Sequence, residues 1–76
     1  MRGADDPFAD LTAREREILA LLATGRSDLG ISQSLFVTRR TVEFHTRNIF
    51  RKLGVPASER DNRRVHAVLR FLQYEA

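Results

Sequence analysis

Positions 39 to 52 gather the groups best able to do chemistry. The segment RRTVEFHTRNIFRK sets Arg39, Arg40, Arg47, Arg51 and Lys52 against one carboxylate, Glu43. At roughly 100° per residue on a helix, Val42, His45, Thr46, Ile49 and Leu53 fall within about 60° of one direction. Arg40, Glu43, Phe44, Arg47 and Arg51 gather on the far side. One side is a core face; the other offers long donors, one acceptor and an aromatic ring. An ordinary surface helix interleaves acids for solubility, and only Glu43 does so here. Such a face suits the major groove of double-stranded DNA. Arg47 has the fork for guanine O6 and N7, or for a phosphate. Glu43 can accept from a cytosine N4 amine, or pair within the helix with Arg47 or Arg39. Phe44 can press on a thymine methyl, pack on a neighbouring arginine or enter an interface. Thr38, Thr41 and the first amides of the helix suit phosphate oxygens.

Other chemistries find few groups. The 76 residues contain no cysteine and two histidines, which excludes disulfides, thiolate metal sites and a cysteine nucleophile. His45 lies at the edge of the core face and reads as a hydrogen-bonded packing residue. His66 has no partner in the pattern. Glu43 and His45 are two apart on a helix, so they cannot share a metal or a proton. With no Gly-rich phosphate loop and no nucleophile–base pair, the chain is expected to bind rather than catalyse, without cofactor or metal. The longest apolar run, Ile18 to Ala23, is too short to span a membrane. No secretory signal pattern is present, and a cytoplasmic protein is expected.

Charge supports the binding reading. Twelve of the thirteen basic residues are arginine, the side chain whose planar fork matches phosphate and guanine. Residues 1–38 hold four arginines against six acids, while residues 39–76 hold nine basic groups against four acids. That asymmetry marks a nucleic-acid face.

Helical signals position these groups. Residues 1–10 read as a flexible tail, and 11–76 as one domain. Thr12 and Glu15 have capping-box spacing, and Ile18, Leu19 and Leu22 follow at helical steps to a stop at Gly25. The first helix is predicted over 13–23. Ser27 caps a second over 28–35, with Ile31 and Leu35 inward and Gly30 a weak point in its first turn. Phe36-Val37-Thr38 is a three-residue turn, and Thr38 caps a third helix that stops near Leu53 at Gly54 and Pro56. Small Ser32 falls where helices two and three would approach most closely, which makes a helix-turn-helix. Residues 56–62 are a polar loop, and Asn62 or Asp61 caps a fourth helix over 63–73. There Val65, Val68, Leu69 and Leu72 are assigned to the core. Ala67, Phe71 and Tyr74 form a second apolar stripe, assigned to a homodimer interface, with cover of Phe71 by the loop 56–62 as the alternative. The fold class is all-α, four helices around one small core.

These blocks together resemble the LuxR/FixJ/NarL-type helix-turn-helix domain. The similar segments are LTAREREIL at 11–19, ATGRSD at 23–28, TVEFH at 41–45 and KLGV at 52–55. The resemblance implies a four-helix DNA-binding output module of a bacterial transcription regulator, of the response-regulator type. It places base reading at Glu43, Phe44 and Arg47, and backbone contacts at Thr38, Thr41 and Lys52. Arg40 and Arg51 join them from the helix-face reading. Position 43 is often lysine in the family, so Glu43 implies a changed base preference or a phosphate contact given up. Gly30 stands where a glutamate usually completes a cap, and Asp28 replaces the usual asparagine. The loop 56–66 is about six residues longer than the common form, and NRRVHAVL at 62–69 resembles a subgroup with such a loop. The resemblance also implies promoter DNA as partner and a weak homodimer through helix four. The competing reading is a protein–protein module that docks on RNA polymerase or another regulator.

Overall fold

Thr12 opens the first helix of the computed structural model, which describes residues 8–55 and 62–75. The Thr12 hydroxyl accepts from the Glu15 amide and the Glu15 carboxylate accepts from the Thr12 amide, a complete capping box for α1, Ala13–Ala23. Ser27 caps α2, Asp28–Leu35, through the Gly30 amide. Thr38 caps α3, Arg39–Lys52, through the Thr41 amide. Asn62 Oδ1 accepts from the amides of Arg64 and Val65 and so caps α4, Arg63–Glu75. Of the two cap candidates, the described one does the work; Asp61 lies outside the described residues, as do 56–60.

Two of these helices end alike. Gly25 and Gly54 have φ of 86° and 70°, a backbone that costs glycine little. The turn lets the Arg26 amide reach Leu21 O and the Val55 amide reach Phe50 O, capping carbonyls that α1 and α3 leave open. α2 ends on Phe36, also left-handed at φ 58°, and its ring is 93% exposed.

Ile18, Leu19, Ile31, Val42 and Ile49 are fully buried and form the centre, contributed by α1, α2 and α3. Ser32 is buried on α2, with its hydroxyl donating to Leu29 O at 2.7 Å. No strand occurs among the described residues. Phe50, which the periodicity left unplaced, is also in the core.

Two expectations are corrected here. Phe8 is buried, so the tail assigned to residues 1–10 ends before it; residues 1–7 lie outside the described residues. The Phe8 carbonyl accepts from the Leu11 amide and from the Arg16 guanidinium. Its ring meets Phe71 at 5.9 Å and Tyr74 at 5.2 Å, centroid to centroid. That contact settles the orientation of α4. Ala67, Phe71 and Tyr74, assigned to a dimer interface, face the core, with Ala67 at 0% exposure. Val65, Leu69 and Leu72, assigned to the core, are 50%, 49% and 48% exposed. The physical reason is twofold. Small Ala67 lets α4 come close to its neighbours, and two aromatic rings have more apolar area to hide than branched aliphatics. Val68 lies between the stripes and packs against the core as expected.

Candidate nucleic-acid interface

The Thr38 cap and the Phe36 turn aim α3 across α2, so the face of α3 away from Val42, Thr46 and Ile49 meets solvent. Arg40, Glu43, Phe44, Arg47 and Arg51 are all exposed there, as the periodicity predicts. Phe44 sets its ring edge-on to the His45 ring at 5.6 Å. Thr38 and Thr41 lie at the start of the same helix, their hydroxyls 2.9 Å apart. Among the described residues Glu43 makes no ion pair with Arg47 or Arg39. His45 packs as expected, but its Nδ1 is buried and has no hydrogen-bond partner among the described residues.

Lys52, expected to touch the DNA backbone, has a partner within the fold. Its ammonium lies 2.7 Å from Glu15 Oε1, and the Glu15 side chain is 5% exposed. Burial alone raises the Glu15 carboxyl. The Lys52 hydrogen bond and charge, with the Thr12 amide and hydroxyl, outweigh it and hold the group below its ordinary 4.5. Lys52 therefore ties the end of α3 to the start of α1 instead of standing on the outward face. The resemblance placed it on the DNA backbone, and the fold gives it a partner 37 residues away in sequence.

Three arginines of α4 escaped the sequence reading. The Arg64 guanidinium pairs with Asp28 at 2.7 Å and donates to Arg26 O at 2.7 Å. Arg70 donates to Leu53 O, the C-cap of α3. Arg63 lays its guanidinium over the Phe50 ring, 5.1 Å from the centroid. Two clefts run beside α3. One includes Asp28, Glu43, Thr46, Arg47 and Arg63. The other is lined by Phe44, Arg47, Asn48, Arg51, Val55 and Arg63. Only the fold brings Arg63 beside Arg47; the one sequence sign was the unbroken basic pair Arg63-Arg64.

A helix-turn-helix whose second helix presents an arginine face is now in place. Residues 9–61 match the family described as bacterial regulatory proteins, luxR family. The chain belongs to the luxR family. It is similar over 50 residues, at 50% identity, to the probable transcriptional regulatory protein SgaR of Hyphomicrobium methylovorum; the match takes in 66% of this chain and 24% of that protein. It is 43% identical over 74 residues to the nitrate/nitrite response regulator protein NarP of Escherichia coli, 96% of this chain and 32% of NarP. Transcriptional regulatory protein LiaR of Bacillus subtilis is 44% identical over 61 residues, 80% of this chain and 28% of LiaR. The chain thus spans 24% to 32% of the length of these three relatives. As a luxR-family helix-turn-helix domain it keeps the all-α architecture the sequence predicts. None of its described helices is long and apolar enough to cross a membrane.

Proposed function

We propose that this luxR-family domain binds double-stranded DNA sequence-specifically and regulates transcription as the output domain of a cytoplasmic response regulator, without catalysing a reaction. The observation that carries the reading is the outward face of α3. Arg40, Glu43, Phe44, Arg47 and Arg51 stand exposed on the helix that follows the helix-turn-helix corner. In the major groove, Arg47 reads guanine, Glu43 accepts from a cytosine amine, and Phe44 meets a thymine methyl. Thr38, Thr41, Arg40 and Arg51 hold phosphates and set the register.

The homodimer is proposed through α4, now by the Val65, Leu69 and Leu72 stripe. These half-exposed side chains recur at i, i+4 and i+7 and have no cover among the described residues. A two-fold pair would present two α3 helices to a pseudo-palindromic site. One short helix per protomer buries little area, so pairing is weak off DNA. RNA polymerase is a further proposed partner, supported by exposed Leu29 and Phe36 at the two ends of α2.

The test is selection from random duplex DNA with the 76-residue chain, followed by a salt titration on the selected site. With about three phosphates neutralised, log K against log salt is expected to slope near −2.7 or more steeply. A flat salt dependence, or no enriched sequence, overturns the reading.

A further inference from the structure

The arginines of the second half of the chain are not equally available to a ligand. Arg64 spends its donors on Asp28 and Arg26 O, and Arg70 donates to Leu53 O. Lys52 is engaged with Glu15. Arg63 is held differently. Its guanidinium carbon lies over the Phe50 ring, 5.1 Å from the centroid, a cation–π contact that steadies the group beside α3. A guanidinium carries five N–H donors, and a ring face takes none of the lone-pair contacts they can make, so the cation–π contact leaves the fork available to an anion. Among the described residues, no acceptor takes the Arg63 donors, and the ring contact holds the group in place.

Its surroundings say for what. Arg63 lines both clefts beside α3, and Arg47 is with it in each. In the first cleft Glu43 offsets part of the positive charge. The second gathers Arg47, Arg51 and Arg63, and no carboxylate lines it among the described residues. Arg63 is also the first residue of α4, where the helix dipole adds positive potential. Arg51 and Arg63 reach this notch from two helices and suit one tetrahedral phosphate between them, while Arg47 on the same rim stays with its base edge.

We propose that this notch seats a backbone phosphate of the bound duplex, and that Arg63 is the anchor that fixes it from outside α3. This rests on the DNA-binding reading and extends it. Contacts from α3 alone leave the helix free to roll about its own axis in the groove. A phosphate gripped from α4 restrains that roll, because the grip lies to one side of the helix. Arg63 would therefore position Arg47 and Glu43 against their base pairs while carrying no base preference itself.

The experiment compares wild type, Arg63→Gln and Arg63→Lys on the selected site and on random duplex of equal length, each over a tenfold range of salt. Wild type is expected to slope near −3.6, for four phosphates, and Arg63→Gln nearer −2.7. The affinity gap between them then widens about eightfold per tenfold dilution of salt, on both duplexes. Arg63→Lys keeps the charge and is expected to keep the wild-type slope. Thermal melting in parallel shows whether either variant is unfolded. If Arg63→Gln keeps the wild-type slope, or Arg63→Lys falls with it, the phosphate anchor is overturned and DNA binding stands. If wild type shows no salt-dependent binding, the DNA reading falls and the anchor with it.

Discussion

The third and fourth helices are nearly equal in length, 14 and 13 residues, and each turns one side to solvent. What they leave outside differs in kind. α3 exposes guanidinium groups, a carboxylate and one ring; α4 exposes an aliphatic stripe of Val65, Leu69 and Leu72 beside His66, Arg70 and Gln73. A charged face is content in water and gains most from a polyanion, where counterions are released. An aliphatic face gains only by being covered, and best by another like itself. Two helices of one small fold are thus suited to two different partners, and each can be disabled without touching the other.

The largest effect is expected on the inner side of α4. Phe71→Ala removes a ring that meets Phe8 and is expected to cost about 3 kcal/mol in urea unfolding, while Leu69→Ala on the outer stripe stays within about 0.5 kcal/mol. Equal costs would erase the distinction between the two sides of α4. Next comes the inner end of α3. Lys52→Met leaves the Glu15 carboxylate buried without its cation, for a loss of about 2 kcal/mol, less than for a wholly buried pair because the ammonium is partly exposed. The sign with pH follows from the lowered Glu15 value. Its stabilisation is in full force above 4.5 and is lost as pH falls through the folded value. Acid unfolding of wild type should begin below pH 4.5, and that of Lys52→Met at higher pH; coincident acid curves would remove Lys52 from this role.

On the outer face of α3, Arg47→Ala is expected to leave stability unchanged and to cost about 1–3 kcal/mol on the selected site, relaxing preference at one base pair. A uniform loss on all sequences would make Arg47 a phosphate holder. Smallest is Phe36→Gly. The left-handed backbone favours glycine, and the exposed ring gives up no packing. A gain of about 0.5–1 kcal/mol in thermal unfolding is expected; a loss would mean the ring packs in solution.

How far the sequence could be read follows from the same two helices. α3 carries one apolar stripe, so its period assigns inside and outside without ambiguity, and Arg40, Glu43, Phe44, Arg47 and Arg51 lie where that period puts them. α4 carries two stripes on opposite sides, and period alone is silent between them. Phe8, sixty-three residues before Phe71, decides the matter through a ring contact. Lys52 and Arg63 failed to declare themselves for the same reason, since Glu15 and Phe50 reach them only after the helices pack. Caps, stops and the corner at 36–38 were legible because each is settled by hydrogen bonds within a few residues.

The seat of Phe8 also fixes how the domain would feel a pull. The described chain enters at the Tyr74 end of α4, while Arg63 stands at the other end of that helix, about 16 Å away at 1.5 Å per residue. Tension applied through the residues before Phe8 would load Phe71 and Tyr74 first and travel the length of α4 before it strained the notch beside α3. The helix is a lever with its handle at the aromatic end and its working tip among the arginines.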